Sequence, residues 1–292
     1  MTAKPSSTKY LATSGLLFAA STWGFIWYPY RLLQEAGIAG AVSSFYTYLI
    51  AAVIGGIFCW RHYGSLFSQP RSIWWLALAA GWTNLAYVLA VIDGEVMRVM
   101  LLFYLSPLWT LILAHFWLHE RTGPWGFTAI AVSLAGAFIM LWQPNGGVPV
   151  PTNTAEWMGL SAGMAFALAN VLTRRSTELT LRAKCLSVWI GVAVVSLLFM
   201  LLYQIPFTQA IVADQWFMMT GIGVLLLVAT VAVQYGITHT PVTRASVIFL
   251  FELVVAAVTS YWLANEEMSW NEWIGGALII AAAVFAAKAE EA

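Results

Sequence analysis

Long runs of apolar residues alternate with short polar or charged segments along the whole chain. A helix that crosses a bilayer requires about 20 mostly apolar residues. The polar separators carry charges or turn residues, as in 34–37, 120–124 and 266–267. We therefore predict an all-α integral membrane protein with ten transmembrane helices, at about 10–32, 41–60, 72–92, 97–118, 124–142, 156–173, 184–203, 215–236, 243–264 and 271–288.

The composition agrees with this pattern. Hydrophobic residues make up 61% of the chain and charged residues 9%, whereas about 25% of a soluble domain is charged. The net charge is zero and basic residues form no tract, which argues against a nucleic-acid partner. The two cysteines, Cys59 and Cys185, lie far apart in sequence and indicate neither a disulfide framework nor a metal site.

Lysine and arginine predict the orientation, because they collect in cytoplasmic loops. With the N-terminus in the cytoplasm, all but two of the 13 basic residues fall on the inner side. The two exceptions are Arg31 and Arg98. The opposite orientation would invert this ratio, so we predict that both termini are cytoplasmic.

The second half of the chain repeats the first at an offset of 146 residues. Arg98 then falls on Arg244 and Glu120 on Glu266, and each pair brackets one apolar span. Five helices is an odd number, so the second half enters the membrane in the opposite sense. Inverted repeats are typical of transporters with alternating access. We predict a first five-helix repeat at 1–142, an external linker at 143–155 and a second repeat at 156–292.

Several short motifs resemble the drug/metabolite transporter superfamily of the EamA type. The first helix holds a Trp-Gly pair, Trp23-Gly24, and the fourth holds a proline, Pro107. Helices four and nine each end at a Glu that is followed nine positions later by a small residue, Glu120 with Ala129 and Glu266 with Gly275. Within that superfamily, the segment 104–109 (YLSPLW) is most similar to the YddG-type exporters of aromatic amino acids.

This resemblance implies a fold and a function. Helices one, three, four, six, eight and nine would line a central cavity, and helices five and ten would be peripheral. The protein would export aromatic and other hydrophobic amino acids across the bacterial inner membrane, with no cofactor. The first helix holds no Glu, unlike the small four-helix multidrug members, so the resemblance does not support proton antiport.

Glu252 is the one carboxylate deep within a predicted span. An ionised carboxylate there costs roughly 2.5–3.5 kcal/mol or more unless it is solvated or paired. Either Glu252 couples protons or contacts a substrate ammonium, or it is a neutral acid that joins helices. The sequence leaves both interpretations open.

Three amides also lie deep in spans, namely Asn84, Asn170 and Gln234. Each offers the donors and acceptors that an amino acid requires. Asn84 shares a helical face with Tyr87, Asn170 with Phe166, and Gln234 with Thr230. The alternative is that these amides hold neighbouring helices together.

Prolines and aromatic residues complete the candidate site. Pro107 and Pro29 are expected to kink helices four and one, because proline removes a backbone hydrogen bond. Six aromatic side chains are expected to line a cavity for a flat apolar substrate: Trp23, Tyr28, Tyr87, Tyr104, Trp109 and Phe166. Packing is the alternative role for any of them, since aromatic residues form 15% of the chain.

Arg98 is a candidate contact for a substrate carboxylate, whereas Arg31 is expected to extend to the lipid headgroups. His115 and His119 share a helical face, but four histidines are too few to suggest a metal enzyme. We predict neither a catalytic residue nor a metal site, and the sequence carries no nucleotide-binding motif. The alternatives are an exporter of another metabolite or drug on the same fold, and an intramembrane enzyme or receptor. The oligomeric state stays open, and a monomer is compatible with the sequence.

Overall fold

The computed structural model describes residues 7–59, 71–117, 124–142, 150–207, 211–240, 245, 248–249 and 251–289. These residues contain helices and no β-strand. The eleven longer helices are α1 (Ser7–Glu35), α2 (Gly40–Cys59), α3 (Ser72–Asp93), α4 (Val96–Phe103), α5 (Ser106–Trp117), α6 (Pro124–Leu141), α7 (Thr154–Arg175), α8 (Leu181–Leu202), α9 (Ala213–His239), α10 (Phe251–Ala264) and α11 (Trp270–Ala289).

Each predicted span corresponds to helix in the structure, and the fourth span is divided into α4 and α5. Helices α2, α3, α7, α8 and α9 are each long and apolar enough to cross a membrane. In lipid a helix satisfies its own backbone groups, which is why long apolar runs take this form.

The break in the fourth span lies at Tyr104 and Leu105, just before Pro107. The N–H of Tyr104 still donates to the carbonyl of Met100 at 2.9 Å, and the N–H of Leu105 donates to that of Leu102 at 3.2 Å. Pro107 then falls in the first turn of α5, where a missing N–H is tolerated. The predicted kink is therefore a break. Pro29, by contrast, lies inside α1, which continues as helix to Glu35.

The two halves interleave, so that helices of the first half pack mainly on helices of the second. Helix α1 packs on α9 and α10, α2 on α8 and α9, and α3 on α7 and α8. Helices α1, α2 and α3 of the first half correspond to α7, α8 and α9 of the second. The contact between α1 and α9 therefore has its counterpart in the contact between α7 and α3, and the contact between α2 and α9 has its counterpart in that between α8 and α3. Helices α6 and α11 pack chiefly on each other, at the periphery, as the resemblance implies.

Two glycines on α7 allow the short helix α4 to approach closely. A Cβ on Gly159 would lie 3.1 Å from the carbonyl oxygen of Val99, and one on Gly163 would overlap that of Phe103. Small residues four positions apart commonly form such contacts between membrane helices. The break after Phe103 is thereby fixed against the second half of the chain.

Candidate functional site

A cavity of about 80 Å³ lies at the centre of the bundle, large enough for several water molecules. Helices of both halves contribute to its wall. Its described lining consists of Trp23, Leu76, Ala80, Thr83, Asn84, Tyr87, Phe103, Phe166, Ala169, Asn170, Thr173, Val188, Thr230, Val233, Gln234, Phe249 and Glu252.

Seven of the ten predicted cavity residues belong to this lining: Trp23, Asn84, Tyr87, Phe166, Asn170, Gln234 and Glu252. Tyr104 lies directly behind it, in contact with Glu252. Tyr28 instead borders a separate pocket beside Arg31. Trp109 packs against the core, with its indole nitrogen buried and unbonded among the described residues. The structure thus assembles most of the predicted site but leaves out Tyr28 and Trp109.

Aromatic rings from three segments form one continuous wall of the cavity. The ring centroids of Phe103 and Phe166 lie 5.2 Å apart, and those of Phe166 and Phe249 lie 5.7 Å apart. Tyr87 extends the wall, with its ring 5.6 Å from that of Phe103. These separations are typical of favourable aromatic pairs. Phe103 and Phe249 were not identified from the sequence, because nothing distinguishes them from the many other phenylalanines.

Glu252 supplies the carboxylate of the cavity and is buried, with 6% of its surface exposed. The hydroxyl oxygen of Tyr104 lies 2.8 Å from Oε2 of Glu252 and also within hydrogen-bond distance of the carbonyl oxygen of Phe249. A hydroxyl carries one hydrogen, so Tyr104 donates to one of these two acceptors at a time. This contact holds the carboxyl group at the edge of the cavity.

The three predicted amides differ in how far their hydrogen-bonding capacity is already used. Asn84 accepts from the hydroxyl of Tyr48 and donates to the carbonyl of Ala80 at 2.8 Å. Its side chain therefore joins helices α2 and α3 while it lines the cavity. Asn170 makes no side-chain hydrogen bond to a described residue, and Oε1 of Gln234 is buried without one.

The described lining of the cavity carries one acidic side chain and no basic one. Glu252 is the only carboxylate among the described lining residues, and these include no Arg, Lys or His. Its other polar groups are neutral amides, hydroxyls and indole nitrogens. Among the described residues, no group of three or more His, Cys, Asp or Glu side chains is placed to hold a metal ion.

Two ion pairs join the halves at one end of the bundle, which we call the closed end. Arg31 at the end of α1 lies 3.3 Å from Glu266, which follows α10. Arg98 on α4 lies 2.6 Å from Glu156 in the first turn of α7. Glu266 also accepts a hydrogen bond from the N–H of Val96, the first residue of α4, at 2.9 Å.

The cavity lies away from the closed end. Along α7, Asn170 is 14 residues beyond Glu156, a separation of about 21 Å at 1.5 Å per residue. Thr173, near the end of the same helix, also lines the cavity. The predicted orientation would place the closed end outside the cell and the cavity toward the cytoplasm.

Both arginines that were predicted to be external have partners that the sequence did not indicate. Arg98 was a candidate for a substrate carboxylate, but it is paired with Glu156 and does not line the cavity. Arg31 was expected to extend to headgroups. Instead it stacks on Trp27 and donates hydrogen bonds to the carbonyls of Val91 and Gly94, at 2.8 and 2.9 Å. The histidine pair of the fourth span lies outside the described side chains.

Comparison with known proteins identifies the family. The profile of the EamA-like transporter family matches the chain twice, over residues 11–142 and 153–287. The chain belongs to the EamA-like transporter family. Its multi-pass bundle, with a central cavity between two halves, is thus the bundle of a membrane transporter.

Relatives of this EamA-like protein carry similarly general descriptions. An uncharacterized transporter of Archaeoglobus fulgidus is 26% identical over 78% of this chain and 80% of its own length. An uncharacterized transporter of Pseudomonas aeruginosa is 25% identical over 63% of this chain and 61% of its own length. A protein of known crystal structure shares the fold with a TM-score of 0.67 at 18% identity, covering 97% of this chain and 98% of the other.

Proposed function

We propose that this protein is a secondary transporter that exports aromatic and other hydrophobic amino acids across the bacterial inner membrane by alternating access. Both termini would be cytoplasmic, and the repeats at 1–142 and 156–292 would rock about the central site. One observation carries the proposal: a single cavity is built by helices of both halves and shut at one end by ion pairs between those halves.

The closed end is suited to reversible opening. The side chains of Arg31 and Glu266 are about a fifth exposed, at 20% and 18%. Ion pairs that remain partly solvated contribute only about 0–1 kcal/mol each. Separating Arg31 from Glu266 therefore costs little compared with unpacking a hydrophobic interface. The Arg98–Glu156 pair, in which Glu156 is only 4% exposed, is the stronger contact at this end.

The walls of the cavity favour a substrate with a flat apolar part and a polar end. The aromatic wall of Phe103, Phe166 and Phe249 offers ring faces and edges to an aromatic side chain. Glu252 and Gln234 present polar atoms to the same cavity. An exporter of another small amphipathic metabolite or drug would use the same architecture. The described lining of the cavity comes from one chain, so we propose a monomer as the working unit.

Flux through purified protein tests this function. Proteoliposomes loaded with unlabelled phenylalanine should take up labelled phenylalanine or tryptophan faster than protein-free vesicles. Phe166→Ala should lower this uptake severalfold because it removes the middle of the aromatic wall. Phe138→Ala is the matched control, since Phe138 is exposed on the peripheral helix α6.

Four outcomes would contradict the proposal. Absence of protein-dependent flux of any amino acid would exclude an amino-acid exporter. Flux of other amphipathic metabolites alone would favour the second candidate. Binding without flux of any ligand would favour a receptor, and chemical conversion of the ligand would favour an enzyme.

A further inference from the structure

We infer that the cavity recognises the ammonium group of its substrate rather than the carboxylate, so that aromatic amines lacking a carboxylate are ligands of the same site. This inference rests on the proposed function and extends it to a substrate class. Three features of the cavity support it: the sign of the charge on its described lining, the unmet acceptors of that lining, and the partners that Arg31, Arg98 and Lys184 already have.

The charge of the lining is the first feature. Glu252 contributes a carboxylate, and the described lining residues provide no cationic side chain to oppose it. A buried charge is stable only when it is paired or well hydrogen-bonded. Tyr104 already hydrogen-bonds Glu252, but an ammonium group would supply the opposite charge that the described lining lacks, whereas a substrate carboxylate there would add a second negative charge.

The unmet acceptors are the second feature. Oε1 of Gln234 and Oγ1 of Thr230 are both buried without a hydrogen-bond partner among the described residues. They lie four residues apart on α9, hence on one helical face. Residues Gln234 and Thr230 are only 6% and 3% exposed. An ammonium group donates three hydrogen bonds and accepts none, which suits a site with a carboxylate and free acceptor oxygens.

The existing partners of three described cations, Arg31, Arg98 and Lys184, are the third feature. Arg98 and Arg31 are engaged with Glu156 and Glu266 at the closed end. Lys184 lies closer to the cavity, but its ammonium group donates to the backbone carbonyl of Thr173 at 2.9 Å, and none of the three side chains lines the cavity. A substrate carboxylate would therefore rely on neutral donors such as the amide of Asn170. A neutral donor offers a carboxylate no opposite full charge, whereas Glu252 offers one to an ammonium group, so the carboxylate would contribute less to binding than the ammonium group.

A competition experiment with three ligands of the same ring separates these contributions. Labelled phenylalanine uptake into proteoliposomes is measured against unlabelled phenylalanine, 2-phenylethylamine and 3-phenylpropanoate. We expect the amine to compete at least as well as phenylalanine, and the acid to compete at least about tenfold more weakly, the ratio that one charge-assisted hydrogen bond provides. An acid that competes as well as the amine, or an amine that does not compete, would overturn the inference.

A measurement of ligand binding that does not depend on transport separates the test of this inference from the test of the proposed function. The rise in Tm of the detergent-purified protein is measured with each of the three ligands. If no flux occurs but the amine stabilises the protein more than the acid does, transport is refuted and ammonium recognition stands. If flux occurs and the ligand ranking is reversed, ammonium recognition is refuted and transport stands.

Variants assign the preference to named groups. Glu252→Gln keeps the shape of the side chain and should reduce the amine-to-acid preference about tenfold. Glu267→Gln, which removes a carboxylate outside the cavity, should leave it unchanged. If Glu252→Gln does not fold, Thr230→Val provides the same test by removing one acceptor at constant shape. It should weaken the amine severalfold and leave the acid unchanged. An unchanged preference in a folded Glu252→Gln or Thr230→Val variant would refute the assignment.

Discussion

Replacing Glu266 with glutamine tests whether charge holds the closed end together. The carboxylate of Glu266 serves two partners from the first half of the chain. It lies 3.3 Å from Nη1 of Arg31 and accepts a hydrogen bond from the N–H of Val96 at 2.9 Å. Glutamine keeps the length of the side chain and an acceptor for Val96, but it removes the negative charge.

The structure sets the size of the expected effect. The pair with Arg31 is partly exposed, so its loss costs about 0.5–1 kcal/mol. A carboxylate at the N-terminus of a helix, here α4, contributes about 0.3–1 kcal/mol. Together they give about 1–2 kcal/mol, which would increase the population opened at this end by about 5–30-fold.

Cysteine labelling measures that population. Cys59 and Cys185 are first replaced by alanine, and a reporter cysteine is introduced at Ala169, which lines the cavity. A membrane-impermeant thiol reagent is added to intact cells, and the rate of labelling is followed. In Glu266→Gln the rate should rise about 5–30-fold, because the cavity becomes accessible from the predicted outer side more often.

Glu267→Gln is the matched control, since Glu267 is adjacent in sequence and makes no ion pair with a described residue. Its labelling rate should equal that of the parent. Equal rates in all three proteins, or the same increase in both variants, would refute the role of charge at the closed end. Rapid labelling of the parent from outside would contradict the predicted orientation.

Further predictions concern stability and binding. Gly163→Ala should destabilise the protein by about 1–3 kcal/mol, because its Cβ would overlap the carbonyl of Phe103. Gly221→Ala should stabilise the protein by about 0.5–1 kcal/mol, since a Cβ there meets nothing within 4 Å, and thermal unfolding in detergent compares the two. Asn84→Ala should lower Tm more than it raises KM for flux, because both polar atoms of Asn84 are already hydrogen-bonded, Oδ1 to Tyr48 on α2 and the amide nitrogen to Ala80 within α3. Asn170→Ala should instead raise KM more than it lowers Tm. If the two variants show the opposite pattern, Asn84 is the substrate contact and Asn170 is the residue that holds the helices together.

The transmembrane helices could be predicted because the bilayer fixes their length. The break in the fourth span could not be placed, because hydropathy stays high from Val96 to Trp117. Proline at 107 indicated a disturbance. Its position at 104–105 depends on the approach of Gly163 to Phe103, a contact between segments about 60 residues apart in sequence.

The polar part of the site was more predictable than the aromatic part. A carboxylate or amide deep in an apolar span must face the protein interior, which is why Glu252, Asn170 and Gln234 all reach the cavity. An aromatic ring is stable whether it faces lipid, the packed core or a cavity. The sequence therefore could not distinguish Tyr28 and Trp109, which do not line the cavity, from Tyr87, which does.

The partners of the arginines could not be predicted from the sequence for a related reason. Arg31 meets Glu266 across 235 positions of sequence, and nothing local distinguishes a paired arginine from one that extends to headgroups. The sequence indicated Glu266 as an anchor of the repeat and as part of a family motif, but not as a partner of an arginine. Its contact with α4 depends on how the two halves interleave.

A reversible lock across the closed end tests alternating access most directly. Cysteines at Arg31 and Glu266, in a background lacking Cys59 and Cys185, are joined by a short thiol cross-linker that a reducing agent cleaves. Uptake of labelled phenylalanine into proteoliposomes is measured before cross-linking, after it and after reduction. Alternating access predicts that uptake is lost on cross-linking and recovered on reduction. Undiminished uptake by fully cross-linked protein would show that substrate crosses without the halves parting at this end.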